Sequence, residues 1–174
     1  MKYLILTKRQ LTVSAAILLV AVTVALTASV MMSASRRKKL PIYSVERSDK
    51  CISLTFDAAW SADDTDEIIS LLGKYNAKAT FFCVGTWVDA NPDAVKKLHD
   101  AGHEIMNHSD KHPHVTDISE ARFIEDLRAC NDKIKAITGE EPTLYRGPYG
   151  EYSDMTISTA ESLGMQYIQW SADT

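Results

Sequence analysis

Four of the five histidines in this 174-residue chain lie within residues 102–114, which read GHEIMNHSDKHPH. His108 and His112 are four residues apart, so a helical turn would direct both imidazoles toward one ion. Imidazole nitrogen binds zinc and several other divalent transition metals, and the spacing alone does not identify the ion. A pair at this spacing is more often ordinary surface chemistry than a site. Whether this pair is a good candidate for a metal site therefore depends on its position in the fold.

The other metal-binding residue types have weaker claims. His103 is expected to face the core or the sheet, and His114 is expected in a solvated loop. The three cysteines, Cys51, Cys83 and Cys130, lack metal-ligand spacing, and an odd number cannot pair fully within one chain. We expect all three to be small buried side chains. A disulfide between two of them is the alternative if the domain is extracellular.

Short apolar runs alternate with amphipathic stretches from residue 51 onward, which is typical of repeated βα units. Strands are predicted at residues 51–56, 79–85, 103–108, 143–146 and 165–170. Helices are predicted at residues 66–76, 92–101, 119–138 and 155–163, the second of them capped by Asn91. This order predicts an α/β fold with a parallel sheet, which right-handed crossovers in series can close into a barrel.

Polar residues recur where the predicted strands end. Asp57 ends the first strand, His108 the third and Arg146 the fourth, while residues 171–173 follow the fifth. The carboxyl ends of parallel strands lie at one edge of the sheet, where active sites of such folds are found. This placement makes the histidine pair a stronger candidate for metal binding and predicts an active site at that rim.

The N-terminal part of the chain is of a different kind. Residues 11–32 contain no charged residue and are long enough for a transmembrane helix of about 20 residues. We favour a retained anchor over a cleaved signal peptide, whose apolar core is shorter, although SAS at 33–35 is a possible cleavage site. The predicted organisation is a cytoplasmic tail (1–10), a transmembrane anchor (11–33), a linker (34–50) and a catalytic domain (51–174).

Charge separates the two parts as well. The first 39 residues carry seven of the 19 basic residues and none of the 23 acidic ones, so the remainder has a net charge of −11. Such a domain has no electrostatic footprint for nucleic acid. Four cations follow the span and three precede it, a count that alone would leave the domain in the cytoplasm.

An ordered set of motifs carries a family resemblance. TFDAAW, HSDKH, RGPYG and QWSAD follow the first, third, fourth and fifth predicted strands. In this order they resemble the motifs of polysaccharide deacetylases, the NodB-like carbohydrate esterase family 4. LPIYSV and KYNAKATFFCVG are similar to its bacterial, spore-former-type members. The resemblance covers residues 40–174 and implies a barrel-like (β/α) NodB fold.

The resemblance also implies a function. Family members are metal-dependent hydrolases that remove N-acetyl groups from polysaccharides, here a GlcNAc- or MurNAc-containing wall polymer such as peptidoglycan. A divalent ion is implied, with zinc expected and cobalt or another ion as alternatives. Because such substrates lie in the wall, the domain is expected outside the cell on its membrane anchor, contrary to the charge count.

Particular residues take roles from the resemblance. It implies that His108 and His112 are metal ligands and that Asp57 is the general base for the attacking water. Arg146 would hold Asp57 in place and ionised, and the backbone N–H of Tyr149 would bind the oxyanion.

Substrate contacts are implied for Trp170 and Pro148. Trp170 would pack beside the acetyl group or the sugar ring, although a buried core tryptophan is an equal alternative. Pro148 belongs to GPYG, which is also an ordinary turn sequence. Asp173 would join the aspartate network of the family's fourth motif.

The chain departs from the family pattern at the third metal ligand. Ala58 stands where the family has a second aspartate, and a methyl group cannot coordinate a metal. Asp63 and Asp64 follow in the next loop, and we prefer Asp64 as the substitute ligand. The alternative is that these carboxylates cap the next helix and favour its dipole.

The family's last motif supplies a histidine that protonates the leaving amine, and no such motif follows within the 174 residues. We therefore expect a C-terminally incomplete domain, whether a fragment or a natural truncation. Together with Ala58, this leaves a second function open, namely a catalytically inactive glycan-binding or remnant NodB-like domain.

Overall fold

The computed structural model describes residues 7–34 and 38–173. The predicted tail falls largely on residues 1–6 and part of the predicted linker on residues 35–37, outside the described residues. The chain divides into two compact units between Lys38 and Lys39. In the first, α1 (Lys8–Ala34) is a 27-residue helix. Its residues 8–27 have a mean hydropathy of 2.1 and are long and apolar enough to cross a membrane.

The second unit is built on a parallel five-stranded sheet. Its strands are β1 (Leu54–Ala58), β2 (Ala79–Cys83), β3 (Glu104–Asn107), β4 (Leu144–Tyr145) and β5 (Gln166–Tyr167). They are hydrogen-bonded in chain order, and every neighbouring pair is parallel. The predicted α/β class and its five parallel strands are confirmed. Each strand is shorter than predicted; β2, for example, ends at Cys83, and Gly85 already begins the next helix.

Helices connect these strands. They are α2 (Thr65–Lys74), α3 (Gly85–Ala90), α4 (Pro92–Asp100), α5 (Glu120–Thr138) and α6 (Asp154–Ser162), with a 3₁₀ turn at Pro148–Gly150. The six-residue α3 was not predicted, since it is too short to show a helical period. Pro92 begins α4 and Asn91 occupies its N-cap position, as expected, but the Asn91 side chain makes no capping hydrogen bond: its amide donates to the Trp87 carbonyl (3.0 Å).

Local sequence explains why the central elements form. All five residues of β2 are buried, as expected for a strand covered on both faces. Ser119 accepts a hydrogen bond from the backbone of Arg122 at the start of α5, and Gly139 ends the helix in the left-handed conformation. A capping box formed by Ser153 and Thr156 begins α6.

The core consists of two apolar clusters. One surrounds β2 and includes Phe81, Trp87 and Leu98, and the other includes Phe123 and Tyr145. Helix α5 contributes to both, so it joins the two halves of the sheet.

Part of the predicted linker lies on this unit. Ile42 bridges to Ile168, and its backbone exchanges hydrogen bonds of 2.8 Å with Tyr167 and Gln169. The backbone of Lys39 donates to Asp154 at the start of α6 (2.7 Å). Lys39 and Ile42 thus attach this part of the linker to the β5 side of the sheet.

Candidate active site

The strand register brings the predicted polar residues to one rim. Ala58 pairs with Cys83, Cys83 with Asn107, and Asn107 with Tyr145. Asp57 therefore lies at the end of β1, while His108 and Arg146 directly follow β3 and β4.

Arg146 and Asp57 form an ion pair at this rim. Arg146 Nη1 donates to Asp57 Oδ1 (2.7 Å), and Nη2 donates to Thr55 Oγ1 (3.0 Å). The Arg146 side chain is 3% exposed and the Asp57 side chain 32% exposed. The guanidinium also lies 4.1 Å from the centroid of the Phe82 ring, a cation–π distance. The carboxylate is thus held by a buried cation while part of it faces solvent.

His108 presents a free ring nitrogen to the same carboxylate. Its Nδ1 lies 2.8 Å from the carbonyl oxygen of Arg146, and because a carbonyl only accepts, Nδ1 carries the proton. Nε2 then holds the lone pair, 3.8 Å from Asp57 Oδ2. Burial lowers the pKa of His108, and partial burial lowers the pKa of His112. Both imidazoles are therefore favoured in the neutral form that binds metals.

The two rings are neighbours, with centroids 5.2 Å apart, but the helical turn predicted between them is wrong. Ser109 and His112 have positive φ angles of 72° and 54°. Side chains supply the hydrogen bonds instead: Asn107 Oδ1 accepts from the Ser109 backbone (2.7 Å) and Ser109 Oγ from the His112 backbone (2.9 Å). Such local bonds compete with helix formation, and Pro113 disfavours helical backbone at the residue before it.

A buried polar network supports this loop from behind, and the sequence analysis missed it. The Asn107 amide donates to the Leu127 carbonyl (2.9 Å) and to Asn131 Oδ1 (2.6 Å). The backbone of Asp110 donates to Asp126 (2.7 Å), whose pKa is raised by burial. Two polar residues, Asp126 and Asn131, lie on the same face of α5 as buried Leu127. Polar residues on an apolar helix face were the sequence signal that could have indicated this network.

Tyr149 lies in the 3₁₀ turn with a left-handed backbone (φ 58°). The N–H groups of Gly150 and Glu151 donate to Gly147 and Pro148, whereas that of Tyr149 makes no hydrogen bond within the described part of the chain. Gly147 is required here, because a Cβ would lie 2.2 Å from the Tyr167 hydroxyl. Within the described residues the N–H of Tyr149 is thus left unpaired, while Pro148 is buried.

The remaining histidines differ in environment. His103 is buried and accepts from the Ala79 backbone (3.3 Å), as expected for a residue facing the sheet. His114 is exposed, as expected for a loop, and it also stacks on the Tyr149 ring at 4.3 Å. A hydrogen bond of 2.7 Å to Glu151 raises the pKa of His114. Neither belongs to the candidate metal-ligand pair of His108 and His112.

Trp170 lies next to the Arg146–Asp57 pair. Its ring centroid is 5.5 Å from the Arg146 guanidinium, and the residue is half-buried. It closely faces Gly150, where a Cβ would lie 2.9 Å from the indole. The ring therefore borders the rim and retains an exposed part.

The third metal ligand is not assembled. Asp64 is exposed and precedes α2; its carbonyl accepts from Ile68 (2.9 Å), but its carboxylate makes no capping hydrogen bond. Asp63 is also exposed. Within residues 7–34 and 38–173, no group of three or more His, Cys, Asp or Glu side chains is placed to hold a metal ion. The histidine pair fits two ligand positions, and Asp64 stays a prediction for the third.

The cysteines are not among these candidate site residues. Cys83 and Cys130 are buried free thiols, as predicted, and burial raises the pKa of both. The prediction is wrong for Cys51, which is exposed. Its predicted strand begins three residues later, at Leu54.

Fold and rim together define an α/β protein whose parallel sheet carries a held carboxylate, two imidazoles whose neutral form is favoured and, within the described residues, an unpaired backbone N–H, groups suited to acyl hydrolysis. The chain belongs to the polysaccharide deacetylase family, which it matches over residues 44–168.

Two curated relatives illustrate the similarity. An uncharacterized 30.6 kDa protein of Geobacillus stearothermophilus is 39% identical over 130 residues, covering 74% of this chain and 49% of the relative. The peptidoglycan-N-acetylmuramic acid deacetylase PdaA of Bacillus subtilis is 34% identical over 124 residues, covering 71% of this chain and 47% of the relative. The chain thus spans about half the length of these relatives.

Solved structures include both active and inactive proteins. A carbohydrate esterase family 4 (CE4) pseudoenzyme from Bacillus anthracis is 32% identical, with a TM-score of 0.73 over 75% of this chain and 47% of that one. A mutant of that pseudoenzyme with restored enzymatic activity is 34% identical, also with a TM-score of 0.73, over 75% of this chain and 48% of that one. The same fold therefore occurs with and without catalysis.

Proposed function

We propose that this domain removes N-acetyl groups from an N-acetylated cell-wall polysaccharide such as peptidoglycan. The observation that carries the proposal is the contact set of Asp57, whose carboxylate is held by buried Arg146 and lies 3.8 Å from the unprotonated Nε2 of His108. Similarity to a peptidoglycan-N-acetylmuramic acid deacetylase supports the substrate class.

Asp57 acts as the general base, taking a proton from the water that attacks the acetyl carbonyl. Arg146 fixes the orientation of the carboxylate and supplies its counter-charge. Because part of the Asp57 carboxylate is exposed, water can reach it from the rim.

The developing oxyanion needs hydrogen-bond donors that are already in place. The N–H of Tyr149 has no other partner in the described structure, and its strained turn is held by hydrogen bonds from Gly150 and Glu151. The exposed part of Trp170 borders the acetyl group, and Pro148 keeps the turn rigid.

CE4 deacetylases are generally dependent on a divalent metal. Here His108 and His112 would hold the ion, with Asp64 as the proposed third ligand and zinc as the proposed metal. When bound, the ion would polarise the acetyl carbonyl and lower the pKa of the attacking water. The hydrogen bond from His108 Nδ1 to the Arg146 carbonyl keeps Nε2 free for it.

A catalytically inactive, glycan-binding domain is the second candidate. Ala58 packs against the core cluster around β2 and supplies no ligand, and a CE4 pseudoenzyme shares the fold. In this candidate the rim still binds glycan but releases no acetate.

We also propose that the domain is extracellular and anchored by α1, with the boundaries of tail, anchor, linker and domain as predicted from the sequence. The apolar composition of α1 and the wall-acting relatives support this. Protease protection of the domain in intact protoplasts would contradict it, and a soluble processed protein would contradict the anchor.

One experiment separates the two functions. The full chain in detergent micelles is titrated with zinc or cobalt and assayed for acetate released from peptidoglycan and from GlcNAc oligomers. A deacetylase gives metal-dependent acetate that Asp57→Asn abolishes. Glycan binding without acetate at any metal concentration would establish the inactive domain instead.

A further inference from the structure

Trp60 is a large apolar side chain left in solvent beside the candidate active site. It is 89% exposed. Burying an aromatic ring is strongly favourable, so a ligand that covered this ring would gain affinity from the contact. Trp60 makes none of the site's hydrogen bonds, and none of the steps proposed above uses it.

The loop that carries Trp60 is fixed on both sides. The carbonyl of Ala58 accepts from the Val84 backbone (3.0 Å), and the carbonyl of Ser61 accepts from the indole of buried Trp87 (3.1 Å). Ser61 Oγ also accepts from the backbone of Asp63 (3.0 Å). Trp60 is therefore held outward between two anchored backbone positions.

Trp60 and Tyr149 both lie near His112. The Trp60 ring centroid is 6.4 Å from that of His112, tilted by 53°, and the Tyr149 ring lies 4.6 Å from His112 on an edge-on contact. Tyr149 is itself mostly exposed. The Trp60 ring on the β1–α2 loop therefore lies near His112 of the candidate metal-ligand pair.

We propose that Trp60 is a binding platform for a pyranose ring of the glycan strand, adjacent to the ring whose acetyl group lies at the metal-ligand pair. The C–H faces of a pyranose are apolar, and they match an indole face while the hydroxyl groups stay in water. This inference deepens the proposed function and rests on the same glycan reaching the rim.

The test measures glycan binding and not catalysis. The full chain in detergent micelles, as wild type, Trp60→Ala, Trp60→Phe and Tyr75→Ala, is titrated by calorimetry with the GlcNAc tetramer and with free GlcNAc. Tyr75 is a matched control, because it is an exposed aromatic residue (69%) at the end of α2. Vesicles of anionic lipid serve as the alternative probe, since tryptophan also favours membrane interfaces.

Trp60→Ala should weaken tetramer binding by at least about tenfold, the scale seen when an aromatic stacking partner is removed, and change GlcNAc binding by less than about twofold. Trp60→Phe should recover most of the affinity, and Tyr75→Ala should match wild type. Unchanged tetramer affinity in Trp60→Ala, an equal loss for tetramer and monomer, or a Trp60 response to vesicles alone would each overturn the platform.

Acetate release, measured in parallel, separates this inference from the proposed function. Tetramer binding that depends on Trp60 without any acetate release contradicts the deacetylase and keeps the platform. Acetate release with tetramer affinity indifferent to Trp60 keeps the deacetylase and contradicts the platform.

Discussion

The Arg146–Asp57 pair should respond unequally to the loss of its two members. Removing one partner of a buried ion pair costs about 3–5 kcal/mol, because the other charge is left buried without compensation. Asp57→Asn leaves the guanidinium, only 3% exposed, with two neutral oxygens, that of the introduced amide and that of Thr55. We therefore expect a loss near the lower end of that range, about 3 kcal/mol in the free energy of unfolding.

Arg146→Met leaves a different charge behind. The Asp57 carboxylate is 32% exposed, so water replaces part of the lost interaction. Methionine fills much of the space over Phe82, although the cation–π contact, worth about 0.5–2 kcal/mol, is lost. We expect a cost of about 1–2 kcal/mol, below that of Asp57→Asn. In the double variant the costs should not add, since one pair is removed once.

The assay is urea unfolding of the full chain in detergent micelles at pH 7, followed by near-UV circular dichroism. Asp63→Asn is the matched control, because it neutralises an exposed carboxylate in the neighbouring loop. The slope of the free energy against urea should stay constant across the variants. An Arg146→Met cost equal to or above that of Asp57→Asn, or additive costs in the double variant, would refute the reasoning.

Three further predictions concern the histidine pair and its partner. Changing His108 or His112 to alanine should lower zinc affinity by at least about tenfold in calorimetric titration; equal binding constants would remove the metal site. Asp64→Ala should also weaken zinc binding, Asp63→Ala should not, and Ala58→Asp should restore it in the Asp64→Ala background; an unchanged constant in Asp64→Ala would exclude that ligand. Since burial lowers the pKa of both histidines, the unfolded chain binds more protons, and stability should fall as pH drops through about 6.5. Thermal unfolding at pH 7.5 and 5.5 measures this, and His108→Gln should reduce the difference.

The sequence was sufficient for the order of the five strands and of the four longer helices between them, since apolar period and turn residues act locally. Buried β2 follows amphipathic α2, and Gly139 ends α5 at the predicted residue. Because parallel strands share one carboxyl edge, the same order predicted that Asp57, His108 and Arg146 would meet.

The histidine loop shows where local rules stopped being sufficient. Spacing alone favoured a helical turn, but the backbone between His108 and His112 bonds to the side chains of Asn107 and Ser109. The support of Asn107 comes from Asn131, 24 residues away in the chain. Contacts of this kind depend on tertiary packing, which a single sequence does not display.

The exposure of Trp60 was equally hidden. In the sequence it is one more aromatic residue after a strand, and buried tryptophan is the ordinary expectation. The neighbouring Trp87 takes the buried position and bonds to Ser61, which leaves Trp60 outside. Which of two nearby tryptophans is buried depends on how α3 packs, and α3 was itself too short to predict.

The Arg146–Asp57 pair also bears on the choice between catalysis and glycan binding. A buried ion pair is weak evidence for stability, because apolar residues of similar volume often replace one without loss. Glycan binding through apolar ring faces and hydroxyl groups does not require an ionised carboxylate facing an imidazole lone pair. Proton transfer from a water molecule does require an ionised base that is held in position and reachable from solvent. The Asp57 carboxylate is partly exposed, is fixed by the buried Arg146 cation and lies 3.8 Å from the free nitrogen of His108. This arrangement therefore favours the deacetylase, even though Ala58 offers no ligand.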